Sequence, residues 1–166
     1  MSRIEIIPNL CTAANLLLGV MAITVVINHN SQLSVFLIVL AAILDRADGI
    51  LARRYNAVSA FGKEFDSLAD LVSFGVAPAA LLYSSVLEKW NIAGMACFAL
   101  FTLCGAFRLA RFNVSSSPSF FQGVPITIAG AALAVVVILI PNPAAILAAG
   151  FLLSLAMVSS IRIPKI

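Results

Sequence analysis

The chain has 166 residues, of which 62% are hydrophobic and only 10% charged, a make-up far from that of a water-soluble domain. Its formal net charge of +3 would suit nucleic acid in a soluble protein, but here the basic residues sit at the ends of apolar segments, where anionic lipid headgroups lie, so nucleic acid does not fit as a partner. A bilayer crossing takes about 20 apolar residues, which leaves little chain for anything else and predicts one membrane-embedded domain over residues 1–166.

The N-terminal stretch Met1 to Pro8 carries Arg3 and Glu5 ahead of an apolar run, Asn9 to Ile27, that is too long for the core of a signal peptide and reads as a retained helix. Further apolar segments follow at Leu33 to Arg53, Glu64 to Leu87, Ile92 to Phe112, Val124 to Ile140 and Ala144 to Ile161. Backbone polar groups at hydrocarbon depth must be satisfied within the segment, and no alternating barrel pattern is present, so the fold class expected is all-α, with six transmembrane helices. Arg3, Arg53, Arg54, Lys63, Arg108, Arg111, Arg162 and Lys165 fall at the N-terminus, the second and fourth connections and the C-terminus, whereas the other connections offer only Lys89. That asymmetry places both termini in the cytoplasm. Ser115 to Ser119, with Pro118, reads as a cytoplasmic loop. Cys11, Cys97 and Cys104 lie in apolar stretches without metal-site or disulfide spacing and read as core side chains.

Four carboxylates stand inside or at the mouths of two of these segments: Asp45 and Asp48 in the second, Asp66 and Asp70 in the third. An isolated carboxylate at the centre of a spanning helix costs roughly 2.5 to 3.5 kcal/mol, so each calls for compensating positive charge. Spacings of three and four put each pair on one helical face. A short turn around Tyr55 to Ala60 makes the two helices antiparallel neighbours, with the pairs converging at the inner interface. Arg46, Arg53 and Lys63 could neutralise part of the cluster as a structural network. A pair of divalent cations, Mg²⁺ or Mn²⁺, accounts for it better, because hard cations prefer carboxylate oxygens and paired metals clamp phosphoryl groups. Gly49 and Ala52 continue the Asp45 face, and Gly62 precedes Asp66 by one turn, so small side chains beside the acids leave a cleft for a bulky ligand; close helix packing is the other use of such residues. An ion or metal transporter also buries carboxylates, but near the midplane between broken helices.

Read together, these positions give Asp45, two residues, Asp48-Gly49, two residues, Ala52-Arg53, eight residues, Gly62, three residues, Asp66, three residues, Asp70. This resembles the complete signature of the CDP-alcohol phosphatidyltransferase family, and Pro8-Asn9 with Thr12 resembles that family's nucleotide-contacting first helix. The run from Gly62 to Asp70, continued by Ser73-Phe74-Gly75-Val76-Ala77-Pro78, is similar to members that use L-serine as acceptor, rather than to those that transfer to glycerol phosphate or inositol. Arg108 to Asn113 and Gly123-Val124-Pro125 point the same way, while Ile126-Thr127 departs from the small and proline residues expected there.

The resemblance implies transfer of the phosphatidyl group of CDP-diacylglycerol to serine, with glycerol 3-phosphate or another alcohol as the rival acceptor. It implies that Asp45, Asp48 and Asp66 hold the metals and that Asp70 joins them and serves as general base. It also implies that Asn9, Thr12, Gly49, Arg53 and Ser59 contact the cytidine diphosphate, that Ala52 and Gly62 leave room for it, and that the protein is a homodimer of the cell membrane with its active site facing the cytoplasm. Serine presents a carboxylate, for which Arg108 and Arg111 are the available cations; topology anchoring and lipid-phosphate contact are their alternative uses.

Overall fold

The computed structural model describes residues 6–54, 59–114, 120–159 and 162–164; a few side chains within helices, those of Asp48, Ala52 and Arg53 among them, lie outside the described residues. Helix α1 (Ile6–Ile27) turns at Asn28 to Asn30 into α2 (Ser31–Arg54). The turn is closed by Asn30, whose side-chain oxygen accepts from the Leu33 N–H at 3.1 Å as a helix cap, and by His29 in the left-handed region at φ 58°. Helix α3 (Ala60–Asp70) begins at Ser59, whose hydroxyl oxygen accepts from the Gly62 N–H at 3.0 Å.

Directly after Asp70 the chain makes a π-helical turn, Leu71–Val76, and then enters α4 (Ala77–Val114). Residues 86 and 94 of a straight helix would stand about 12 Å apart. Here a Cβ on Gly94 would come within 2.7 Å of Val86 Cγ2, so the chain folds back on itself at Trp90, whose φ −138° and ψ 45° are not helical. Tyr83 Oη donates to Asn91 Oδ1 at 2.9 Å across the bend. What is continuous hydrogen bonding in α4 is therefore two antiparallel arms, in keeping with the break expected between Leu87 and Ile92.

Strand β1 (Phe120–Gln122), α5 (Ile126–Leu139), α6 (Pro143–Val158) and β2 (Arg162–Pro164) complete the chain, with β1 and β2 paired antiparallel so that Phe121 faces Ile163. The architecture is helical as expected, except for this small strand pair and for a sixth helix that stops at Val158 rather than Ile161. Among the described residues three stretches are long and apolar enough to cross a membrane: Pro8–Ile27, Ala60–Leu87 and Lys89–Val114. Helix α2 is as long but carries Asp45, Arg46, Asp48, Arg53 and Arg54 in its second half. Helices α5 and α6 are apolar throughout but shorter. Large apolar side chains such as Leu17, Ile92, Leu103 and Leu139 point outward, as they do in a protein solvated by lipid.

One packing expectation is refined. Among the described residues α2 and α3 meet through Asp45, Asp66 and Asp70 rather than by close backbone packing; α1 lies along α2 and also against α3 and the π-helical turn, and so stands behind both. The reason is visible in the facing residues: α2 and α3 turn acidic side chains toward each other, whereas α1 offers them an apolar and amide-bearing face. The other half of the molecule is built on α4, which packs along α6 and α5. Phe74, Leu81, Leu82, Phe101 and Leu133 are fully buried in one shared hydrophobic core.

Gly130 is the tightest joint of that core, since a Cβ there would press on the Phe74 carbonyl oxygen and come within 2.9 Å of its Cα. Backbone cannot yield as a flexible side chain does. Gly130→Ala is therefore expected to destabilise the fold by about 1–3 kcal/mol, read as a lower thermal midpoint of the purified protein in detergent.

Candidate active site

Asp66 and Asp70 are four residues apart on α3 and so share a face. Asp45 reaches the same place from α2, and one carboxylate oxygen from each of the three lies within 4.8 Å of the others. Asp70 is buried, while Asp45 and Asp66 are half-buried. Like charges so close in apolar surroundings repel strongly. A nearby cation is Arg108 of α4, which is 7% exposed, stands against Asp70, and has its Nε buried without a hydrogen-bond partner. Asp45, Gly49, Asp66, Asp70, Arg108 and Thr127 wall a cavity of about 310 Å³. From Asp45 and Thr127 a second, largely apolar groove of about 760 Å³ runs between α2 and α5 past Ala42, Ala131 and Val135.

The residues expected to serve the nucleotide fall into two groups. Gly49 lies on the cavity wall, and a Cβ there would meet nothing within 4 Å, so it borders open space. Gly62, by contrast, is filled in: a Cβ would come within 3.1 Å of Ser59 Oγ and 3.2 Å of Asn9 Oδ1. The absence of a side chain at Gly62 thus lets Asn9 of α1 and the Ser59 cap meet over the start of α3. Asn9 keeps a buried Nδ2 without a partner, and Thr12, buried, donates to the Pro8 carbonyl at 3.2 Å. The side chains of Asp48, Ala52 and Arg53 lie outside the described residues; their backbone continues α2 beyond Asp45.

The two arginines separate. Arg108 faces the acids, while Arg111, one turn further, donates from Nη1 to the Val158 carbonyl at 3.4 Å and from Nη2 to the Ser159 carbonyl at 3.2 Å. A guanidinium on the last carbonyls of α6 acts as a helix cap, and it ties α4 to the end of the chain.

Two polar contacts were not singled out in the sequence. Thr127 Oγ1, at the start of α5, donates to Asp45 Oδ2 at 3.4 Å, and Asn15 Nδ2 on α1 donates to Asp70 Oδ1 at 3.4 Å. The signal for the first was the departure at Ile126-Thr127 itself; for the second it was one amide in an otherwise apolar run. A further knot joins α3 to the end of α4: Asn113 Nδ2 donates to Ser67 Oγ at 3.0 Å and to Glu64 Oε2 at 3.2 Å, and Lys63 Nζ donates to the Asn113 carbonyl at 3.1 Å.

Three carboxylate oxygens converging at this spacing form an all-oxygen donor set suited to a hard metal ion. The orphaned Arg108 Nε on the cavity wall and Asn9 Nδ2 near the start of α3 are donors left for an anionic or carbonyl-bearing ligand.

Residues 5–161 match the family model described as CDP-alcohol phosphatidyltransferase. The chain is similar to the CDP-diacylglycerol–serine O-phosphatidyltransferase of Helicobacter pylori strain J99, with 44% identity covering 95% of this chain and 71% of that protein. It is also similar to the Bacillus subtilis strain 168 protein of the same name, at 41% identity over 95% of this chain and 89% of the relative. The namesake from Methanocaldococcus jannaschii is 41% identical over 98% of this chain and 76% of its own length. Three of its signature acids, Asp45, Asp66 and Asp70, converge from two helices, and nearly its whole length matches: the chain belongs to the CDP-alcohol phosphatidyltransferase family.

Proposed function

We propose that this protein transfers the phosphatidyl group of CDP-diacylglycerol to the hydroxyl of L-serine, giving phosphatidylserine and CMP. The observation that carries the reading is the meeting of Asp45, Asp66 and Asp70 on a cavity wall that also presents Arg108, in a chain of this family with relatives of that activity.

Serine's hydroxyl is a weak nucleophile at neutral pH, so a positioned base has to take its proton as it attacks. Asp70 is that base: its carboxylate is buried on the cavity wall beside Asp66 and Asp45. The new bond joins the serine oxygen to the phosphorus that bears diacylglycerol; the bond from that phosphorus to the bridging oxygen breaks, and its electron pair leaves with CMP. Two divalent cations, Mg²⁺ or Mn²⁺, held by Asp45, Asp48, Asp66 and Asp70, supply charge neutralisation at the phosphoryl oxygens when bound. Asn9, Thr12, Gly49, Ala52, Arg53, Ser59 and Gly62 form the nucleotide side of the site, Gly49 by leaving space and Gly62 by letting Asn9 and Ser59 close over α3. The apolar groove along α2 and α5 suits the acyl chains, because a substrate with a charged head and hydrocarbon tails needs both kinds of wall side by side. Of the two arginines, Arg108 takes the serine carboxylate, and Arg111 is spent on α6.

This reading carries a single domain of six membrane-spanning segments, the fold-back at Trp90 separating the third from the fourth, with both termini and the active site on the cytoplasmic side of the cell membrane. The alternation of basic and non-basic connections supports that orientation. A homodimer is the assembly proposed with it.

Purified protein given CDP-diacylglycerol and Mn²⁺ is expected to release CMP and form phosphatidylserine with L-serine, and to do neither with glycerol 3-phosphate; lipid product formed only with the latter overturns the acceptor. Asp70→Asn is expected to lower turnover by about 10²-fold or more while CDP-diacylglycerol still binds; turnover near the parent rate removes Asp70 as base. Arg108→Lys is expected to raise the serine concentration for half-maximal rate by about tenfold or more, whereas Arg111→Lys lowers the thermal midpoint and leaves the serine dependence alone. Equal serine dependence in parent and Arg108→Lys would exclude the carboxylate contact.

A further inference from the structure

Asn15 is an unexpected residue where it stands. It lies in the middle of α1, its side chain is fully buried, and most of its neighbours along the helix are apolar. Its Oδ1 is buried without a partner, and an orphaned amide oxygen is a cost that a leucine of similar volume would not incur. Packing alone therefore gives no reason for an amide at this position.

Its other end supplies one. Nδ2 donates to Asp70 Oδ1 at 3.4 Å. Turning the amide over would set its carbonyl oxygen against the carboxylate, so the contact with Asp70 dictates which end is left orphaned. The backbone around Asn15 is fastened to the same place independently: Ser73 Oγ donates to the Asn15 carbonyl at 2.9 Å, and Gly19, one turn on, lies so close that a Cβ would press on Ser73 Oγ and come within 2.8 Å of Ser73 Cα. Ser73 belongs to the π-helical turn that starts at Leu71, immediately after Asp70. Such a turn shifts the helical register by one residue and recurs at functional sites. Here it sets the register at which the Asp70 end of α3 meets the rest of the chain.

We propose that Asn15 is a positioning residue for Asp70: its amide engages one carboxylate oxygen, restrains the rotation of the group, and so presents the other oxygen to Asp45, Asp66 and the reacting serine. Carboxylates that hold metals are commonly oriented by such outer partners, whose loss costs about 10- to 100-fold in metal affinity or activity. The inference rests on the reading of Asp70 as base and metal ligand. It assigns α1, which contributes no acid to the cluster, a part in the chemistry exerted through Asp70.

The test is Asn15→Leu, which removes the amide and keeps the backbone carbonyl that Ser73 uses. Expected for this variant are a fall in kcat of about 10- to 100-fold, a KM for CDP-diacylglycerol and a thermal midpoint close to the parent's, and a weaker Mn²⁺ titration measured on the purified protein without substrate. Asn15→Ala, which adds no bulk, carries the same expectation for kcat and Mn²⁺ if leucine cannot be accommodated. Ser73→Ala is the structural control, expected to lower the thermal midpoint with Mn²⁺ binding unchanged. An Asn15 variant with parental kcat and Mn²⁺ binding overturns the proposal, and so does one whose only defect is the stability loss seen in Ser73→Ala. A parent protein that forms no lipid product from CDP-diacylglycerol and serine would instead sink the reading of the reaction, and the Mn²⁺ titration would still report on Asn15 and the acids.

Discussion

Everything in this molecule is arranged around a repulsion: carboxylates from two helices are brought close in a protein with few charges of any kind. Among the described residues α2 and α3 meet through the carboxyl groups of Asp45, Asp66 and Asp70 rather than along packed apolar faces. The restraint comes from behind. Helix α1 packs along α2 and against α3, and it is pinned to the second partner at two levels: through Asn9 at Gly62, where α3 begins, and through Asn15 and Gly19 at Ser73, just past its end. The cleft is thus kept at a fixed width by a helix that supplies none of its acids.

The opposite wall is fixed by a different set of contacts. Gly123, at φ 77°, allows the chain to pass so near the end of α6 that a side chain would strike the Met157 carbonyl, and the next residue, Val124, donates its N–H to the Ala156 carbonyl at 3.1 Å. Arg111 caps the same helix end, and the β1–β2 pair adds a further tie. These contacts fix the start of α5, which delivers Thr127 to Asp45, and the end of α4, which delivers Arg108 to the cavity. Acids on one side and their cation on the other are thereby set by separate frames joined through the Phe74 and Gly130 core.

The acids themselves were legible because their spacing is a property of the α-helix: residues four apart must share a face whatever surrounds them. The helical class and the order of the apolar segments were legible for a similar reason, since runs broken by Asn28–Asn30 or Glu88–Asn91 admit few alternatives. Contacts between segments were less so. Nothing in the run Leu71–Val76 marks a π-helical turn or shows that Ser73 within it packs against α1 at Gly19. Arg108 and Arg111 carry the same side chain one turn apart, and only the nearness of the α6 terminus to Arg111 divides their work. Gly49 and Gly62 looked equivalent as small residues near acids, yet one faces empty space and the other two polar side chains.

The shortness of α5 and α6 bears on how a lipid reaches the acids. Their helical lengths of 14 and 16 residues correspond to about 21 and 24 Å, against a hydrocarbon slab of about 30 Å. Hydrophobic mismatch of this sign is relieved by local thinning of the bilayer or by tilting of neighbours. If α5 and α6 cross such a slab, the headgroup plane would be drawn inward on the flank where the apolar groove opens beside Asp45. A polar headgroup whose tails lie in that groove would then have a shorter way to travel to stand level with Asp45, at the groove's end.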